Sequence, residues 1–113
     1  TFFTLAKSSL DLVESRLAAI RRECGDDLDI IVENHCRTDL TSAIQIGQLC
    51  DKYRVFFYEE MVTPVKTRQH ALVRKGEYSL ASGERIYGRW NYANFFEDAS
   101  IQLIQPDLAT CGG

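Results

Sequence analysis

The chain has 113 residues, of which 45% are hydrophobic and 26% charged, a composition typical of a globular domain with one modest core. Its formal net charge of −3 argues against a surface that binds nucleic acid or anionic membranes, so we expect a small-molecule partner. No apolar run approaches the ~18–20 residues of a membrane span, and the first residues lack the layout of a signal peptide. The 4 cysteines show no C-x-x-C spacing, which favours reduced thiols in a cytoplasmic protein.

The hydrophobic pattern predicts helices and strands that alternate along the chain. The predicted helices cover 8–24 with Ser8 as the cap, 39–53, a short segment that opens at Thr63 and Pro64, and about 90–98. The predicted strands cover 28–33, 55–59, 79–82 and 101–105. The strands are short and continuously apolar, and no two-residue turn joins them, as is typical of parallel strands buried on both faces.

We therefore expect an α/β fold with about four parallel strands and crossover helices. This would be part of a (β/α)8 TIM-type barrel, because four strands are at most half of a barrel that typically has ~250 residues. A sheet with two open edges tends to associate, so the chain is expected to belong to a larger protein or to pair with another piece.

Acidic residues follow the predicted strands at intervals of roughly one βα unit: Glu33, Glu59, Glu84 and Asp107. The carboxyl ends of parallel strands lie side by side, and barrels build their active sites at that edge. Three carboxylates packed together are unfavourable unless a cation neutralises them, and oxygen ligands favour Mg²⁺. The pattern predicts that the three glutamates bind Mg²⁺. The alternative is that they face solvent or pair with cations such as Arg37, Lys66 or Arg85.

His35 lies two residues after Glu33, so alternation along an extended strand end places both side chains on one side. A histidine in that position is suited to proton transfer, which makes His35 a catalytic candidate. The other histidine, His70, is expected at the surface of its helix. Glu60 should point away from its neighbour Glu59, toward the helices or an adjacent strand.

Further candidates lie after the third and fourth strands. Asp107 is one unit beyond the three glutamates, and we expect it to orient a histidine rather than to bind the ion. Arg85 and Tyr87 are candidates for contact with an anionic, hydroxyl-rich substrate, although an Arg and aromatic cluster at a helix start is as often structural.

At these residues the chain resembles the enolase superfamily, specifically the mandelate racemase group and its galactonate dehydratase-like acid-sugar dehydratases. The matching segments are Val-Glu-Asn-His at 32–35, Phe-Tyr-Glu-Glu at 57–60, Ala-Ser-Gly-Glu-Arg-Ile-Tyr-Gly-Arg-Trp at 81–90 and Ile-Gln-Pro-Asp at 104–107. Two positions depart from the family pattern. Glu33 stands where Asp is usual, and Met61 stands where Pro is usual.

The resemblance implies a role for each candidate. Glu33, Glu59 and Glu84 match the Mg²⁺ ligands, and the ion is expected to hold a substrate carboxylate and stabilise an enediolate. His35 matches the general acid that protonates the departing β-hydroxyl. Asp107 matches the partner of a base histidine on the next strand. Residues 1–113 then correspond to the third to sixth strands of a C-terminal metal-binding barrel domain, without the capping domain and the remaining strands.

The expected function is that of a Mg²⁺-dependent sugar-acid dehydratase, a hydro-lyase that forms a 2-keto-3-deoxy acid. The chain alone should be inactive, and the complete protein is expected to be a cytoplasmic homo-oligomer. A racemase or epimerase of the same superfamily is the nearest alternative. A receiver-like Mg²⁺-binding module is disfavoured, because such domains need a Lys after the fifth strand and no Lys follows Lys75. A non-catalytic half-barrel is the remaining alternative.

Overall fold

The structure is a computed structural model that describes residues 4–65, 68–97, 99 and 101–113. Its strands form one parallel sheet in chain order. They are β1 (Ile31–Glu33), β2 (Phe57–Glu59), β3 (Ser79–Ser82) and β4 (Leu103–Ile104). The prediction of an α/β fold with four parallel strands is confirmed. Because all four strands run the same way, their carboxyl ends share one edge of the sheet, which we call the carboxyl edge.

Helices occupy the three connections between the strands, as is usual for parallel pairing, and one further helix precedes β1 and another follows β4. They are α1 (Lys7–Cys24), α2 (Leu40–Lys52), α3 (Arg68–Val73), α4 (Ala93–Glu97) after a 3₁₀ turn (Arg89–Tyr92), and α5 (Leu108–Cys111). Asp39 caps α2 by accepting a hydrogen bond from the backbone N–H of Ser42 at 2.8 Å. Among the helices of the described ranges, none has both the length and the apolar character needed to cross a membrane.

Two predicted helix starts are wrong. The residue before α1 is Ala6, and no side chain caps this helix, so Ser8 is not the cap. Pro64 and Val65 form a turn, so the helix does not open at Thr63, and the described part of α3 is Arg68–Val73. Lys66 and Thr67 lie outside the described residues, as does the predicted end of the fourth helix at Asp98.

Three of the four predicted strands begin two or three residues too early, whereas β3 has the predicted bounds. The predicted surface position of His70 is also wrong. Strand β1 starts at Ile31 rather than at 28, because the carbonyl of Leu28 accepts a hydrogen bond from Arg21 instead of pairing with another strand. His70 is fully buried, and its ring lies 5.6 Å from that of Phe95. A buried contact between α3 and α4 therefore decides its position.

Close packing joins α2 to the segment between α3 and β3. A Cβ added to Gly47 of α2 would lie 2.3 Å from the hydroxyl oxygen of Tyr78 and 3.2 Å from the carbonyl oxygen of Val73. The buried hydroxyl of Tyr78 donates to that same carbonyl at 2.7 Å. The absence of a side chain at Gly47 therefore lets α2 approach the core closely.

Arg21, near the end of α1, binds four main-chain carbonyls on the side where the strands start. Its Nε donates to Tyr53 at 2.8 Å and its Nη2 to Arg54 at 2.6 Å. Its Nη1 donates to Gly25 at 3.2 Å and to Leu28 at 2.6 Å. One guanidinium thus ties the end of α1 to the segments that lead into β1 and β2.

Candidate functional site

Glu33 and Glu59 are register partners at the last positions of β1 and β2. The N–H of Asn34 donates to the carbonyl of Glu59 at 3.0 Å, which extends the pairing by one step. Glu84 follows β3 after Gly83, whose φ of +141° and close approach to the backbone of Gln105 favour glycine. The three glutamates therefore leave the sheet at the carboxyl edge, as the spacing of the acids predicts.

His35 lies between two of these carboxylates. Its Nε2 is 3.2 Å from Oε1 of Glu84, and its Nδ1 is 3.7 Å from Oε1 of Glu33. Both His35 and Cys36 have left-handed backbone angles, with φ of 52° and 53°, so the chain turns sharply just after β1. The side chains of His35, Glu33 and Glu84 are respectively 43%, 64% and 40% exposed, so the cluster is open to small molecules.

Glu59 differs from its neighbours because it is only 7% exposed. Its Oε2 is buried and has no hydrogen-bond partner within the described part of the chain. Burial, followed by the charges of Glu60, Glu84 and Glu33, raises the pKa of Glu59 to about 8. An ionised Glu59 is therefore unfavourable here until a cation is added.

Glu60 is fully buried and contacts the end of β3, in agreement with the expectation that it faces an adjacent strand. Its Oε1 accepts hydrogen bonds from the Ser82 hydroxyl at 2.7 Å and from the Gly83 N–H at 3.0 Å. Its Oε2 accepts from the Cys36 thiol at 2.6 Å. Burial and this hydrogen bond to Glu60 raise the pKa of Cys36 well above its usual range, so the thiol remains a donor.

The sequence did not single out Cys36 or Ser82 as partners of Glu60. The only signal was the direction of Glu60, toward the helices or an adjacent strand. Since the partners lie in turns after β1 and at the end of β3, their contact depends on tertiary geometry that a strand pattern does not contain.

Arg85 and Tyr87 lie beside the acidic cluster on the loop after β3. The Nε of Arg85 is 3.5 Å from both Oε2 of Glu60 and Oε1 of Glu84. Both residues line a cavity of about 320 Å³ that also involves Pro64 and Asn91. Tyr87 is 66% exposed. Arg85 thus faces carboxylates in this structure, and a substrate contact by either residue stays a prediction.

Asp107 follows β4 and is exposed. Its Oδ1 accepts a hydrogen bond from the N–H of Ala109 at 2.9 Å, so Asp107 caps α5. The short helix α5 is absent from the predicted elements. The expected role of Asp107 beside a histidine on a further strand stays a prediction.

The residues at the carboxyl edge fit a hard divalent cation. Glu33, Glu59 and Glu84 offer carboxylate oxygen ligands, and the buried Oε2 of Glu59 lacks a partner among the described residues. No group of three His, Cys, Asp or Glu side chains in the described ranges already has the arrangement of a metal site. Since the ring of His35 contacts both Glu33 and Glu84, it is the group that must shift for these two carboxylates to converge.

The chain belongs to the enolase C-terminal domain-like family, whose family model matches residues 3–113. A solved structure of an enolase superfamily member from Salmonella Typhimurium is 47% identical with a TM-score of 0.89, and the match covers 98% of this chain and 29% of that chain. The four parallel strands are therefore part of a TIM-type barrel, as predicted.

Two curated relatives are enzymes that act on sugar acids or their lactones. The D-gluconate dehydratase of Thermoproteus tenax is 28% identical over 114 residues, which covers 100% of this chain and 23% of that protein. The D-galactarolactone cycloisomerase of Agrobacterium fabrum is 30% identical over 98 residues, which covers 86% of this chain and 26% of that protein. The chain thus spans about a quarter of the length of these relatives.

Proposed function

We propose that the protein containing this chain is a Mg²⁺-dependent sugar-acid dehydratase. It would remove the proton α to the substrate carboxylate and then the β-hydroxyl, giving a 2-keto-3-deoxy acid. The observation that carries this proposal is the placement of Glu33, Glu59 and Glu84 at the same edge of the sheet, with His35 between two of them. Similarity to D-gluconate dehydratase supports the reaction class.

Glu33, Glu59 and Glu84 would hold the Mg²⁺ ion. When bound, the ion would supply positive charge that orients the substrate carboxylate and stabilises the enediolate formed by loss of the α-proton. Glu59 would bind in its ionised form, and the ion would replace the proton that burial and the neighbouring charges favour.

His35 would be the general acid. Its ring lies between Glu33 and Glu84 and its side chain is 43% exposed, so a substrate above the cluster would meet it directly. The C–O bond to the β-carbon would break as the imidazolium gives its proton to the hydroxyl, which leaves as water. Arg85 and Tyr87 would contact the polar end of the substrate.

The base would come from a part of the complete protein outside residues 1–113. Asp107 would orient a histidine on the following barrel strand and fix its tautomer. In this proposal residues 1–113 supply the third to sixth strands of a C-terminal metal-binding barrel domain, and a capping domain supplies further specificity. The complete protein would be a cytoplasmic homo-oligomer, and residues 1–113 alone would be inactive.

An isomerase of the same family is the second candidate, and similarity to D-galactarolactone cycloisomerase favours it. Racemases, epimerases and cycloisomerases conserve the mass of the substrate, whereas a dehydratase lowers it by one water. The mass of the product therefore separates the two candidates.

A substrate screen of the complete protein tests the proposal. Hexonates, pentonates and aldarates are incubated with Mg²⁺, and 2-keto-3-deoxy products are detected by colour reaction and by mass. Glu59→Gln should abolish the product, whereas Glu77→Gln, the same change at an exposed glutamate next to β3, should not. The dehydratase assignment is wrong if an isomer of unchanged mass is the product, or if Glu59→Gln remains fully active.

A further inference from the structure

We infer that Glu60 is a positioning residue that sets the spacing of the three candidate ligands. This inference rests on the proposed metal site. It concerns a buried carboxylate that would not itself bind the ion, because its two oxygens are already engaged by Cys36, Ser82 and Gly83.

Two of the three partners of Glu60, and Glu60 itself, are next in the chain to a candidate functional residue. Cys36 follows His35, Gly83 precedes Glu84, and Glu60 itself follows Glu59. The side chain of Glu60 therefore connects the three strand ends one residue away from the groups that would bind metal or transfer a proton.

The main chain of Glu60 makes the same connection. Its N–H donates to the carbonyl of Ala81 at 2.9 Å, and its carbonyl accepts from the N–H of Cys36 at 2.7 Å. Its φ of 43° is left-handed, a conformation that a residue other than glycine rarely adopts. Contacts on both sides hold Glu60 in this conformation, which turns the chain away from the site immediately after Glu59.

Charge explains why a carboxylate suits this position. A buried anion is unfavourable unless it is paired and hydrogen-bonded, and Glu60 has three donors as well as the Arg85 guanidinium at 3.5 Å. Arg85 is equally close to Glu84, so it links the buried carboxylate to a candidate ligand. Displacement of Glu60 would therefore move Glu84 as well as the loop that carries His35.

The test measures metal affinity of the complete apoprotein by calorimetric titration with MgCl₂ alone and with CaCl₂ alone. Mg²⁺ demands near-ideal octahedral geometry, whereas Ca²⁺ accepts a flexible ligand set, so a displaced ligand should weaken Mg²⁺ binding more than Ca²⁺ binding. Two variants are compared. Ser82→Ala removes one donor to Glu60 without changing any charge, and Glu60→Gln keeps the shape but removes the charge.

Both variants should weaken Mg²⁺ binding by about 10-fold or more, the usual effect of removing a group that supports a metal ligand. The matched control is Tyr78→Phe, which removes a buried hydrogen bond to Val73 away from the site. It should lower the melting temperature without changing Mg²⁺ affinity, so a general loss of stability is separated from a change in ligand spacing.

Unchanged Mg²⁺ affinity in Ser82→Ala and Glu60→Gln overturns the inference and leaves the proposed function intact. The inference is also overturned if Glu60→Gln loses Mg²⁺ and Ca²⁺ affinity equally while Ser82→Ala loses neither. That result indicates a lost charge rather than displaced ligands. If Glu60→Gln does not fold, the Mg²⁺ and Ca²⁺ affinities of Ser82→Ala and Cys36→Ala test the inference instead. Absence of Mg²⁺ binding in the unaltered protein counts against the proposed function itself, and the inference falls with it.

Discussion

The Nε2 atom of His35 lies 3.2 Å from Oε1 of Glu84, so the loop after β1 contacts the loop after β3 across the end of β2. This contact occupies a carboxylate that would bind the ion in the proposed site. The proposed proton donor and a proposed metal ligand are therefore in direct contact, and metal binding in the proposed site should separate them.

We predict that Mg²⁺ shifts the side-chain NMR signals of His35 in the complete protein, because Glu84 exchanges its contact with the ring for a contact with the ion. The signals are assigned by their loss in His35→Asn. The control is His70, which is buried against Phe95 and should not respond. A His35 chemical shift that does not change at saturating Mg²⁺ would contradict the proposed site.

Replacement of Glu59 by Gln should lower Mg²⁺ affinity and turnover together. A neutral amide is a poorer ligand for a hard cation, and loss of one such stabilising contact typically costs on the order of 10²–10³ in rate. The measurements are a Mg²⁺ titration and kcat at saturating substrate. Normal activity at limiting Mg²⁺ would remove Glu59 from the ligand set.

The raised pKa of Glu59 predicts how pH affects the metal-free protein. With a pKa of about 8 in the fold and 4.5 ordinarily, Glu59 stays protonated in the folded state at pH values where the unfolded chain has released the proton. Its contribution is fully present below pH 4.5, and the free energy of unfolding decreases as pH rises through about 8. Urea unfolding in EDTA across this range should show the decrease, and Glu59→Gln should reduce it.

Added Mg²⁺ should oppose this decrease in the free energy of unfolding, because the ion binds the ionised form of Glu59. Binding to the protonated carboxyl group therefore displaces its proton. Mg²⁺ affinity is expected to increase as pH rises through about 8, the pKa of Glu59 in the fold. Calorimetry in two buffers of different ionisation enthalpy measures the released proton. Binding without proton release near pH 7 would contradict the assignment of Glu59.

His35→Asn should impair loss of the β-hydroxyl more than removal of the α-proton, because the two steps use different groups. Exchange of the substrate α-proton with solvent deuterium, followed by NMR, should persist while product formation falls. If exchange disappears and dehydration does not, His35 is not the acid.

Asp107→Asn should instead suppress exchange and dehydration together, since it disturbs the base. Asn caps helices about as well as Asp, so this change preserves the start of α5 and isolates the effect of the charge. Asp107→Ala serves as the comparison that also removes the cap. Retained exchange in Asp107→Asn would argue against its role beside a base.

Gly47→Ala should destabilise the fold by about 1–3 kcal/mol, the usual cost of overpacking, because the new methyl group would overlap the Tyr78 hydroxyl. Tyr78→Phe removes that oxygen, so the double variant should lose less than the sum of the single changes. Chemical denaturation of the four proteins gives this interaction directly. Strictly additive losses would show that the two positions do not meet.

The shared edge of Glu33, Glu59 and Glu84 could be predicted from sequence because strand direction alone fixes which end of a parallel sheet a residue occupies. The expectation that Glu60 faces an adjacent strand agrees with its contact to Ser82 of β3, although its φ of 43° is not that of an extended strand. The partners of Glu60 could not be predicted, since the turn at His35 and Cys36 uses left-handed backbone angles that no local sequence pattern indicates.

Helix boundaries and the burial of His70 are features that the sequence predicted wrongly. Thr63 and Pro64 have the composition of a helix start, yet Pro64 and Val65 form a turn. His70, between Gln69 and Ala71, was expected at the surface of its helix, but packing between α3 and α4 buries it. For His70, a contact between distant segments outweighed local preference.

The four carbonyls bound by Arg21 lie at the ends of the strands opposite the glutamates. The contacts that fasten the fold and the candidate site thus lie at opposite edges of one sheet, and in barrels such a division lets loops vary without loss of the scaffold. A programme to alter substrate preference can therefore vary the other positions in the loops after β1, β2 and β3, provided that His35, Glu60 and Glu84 are kept, together with Arg21 and the residues it binds.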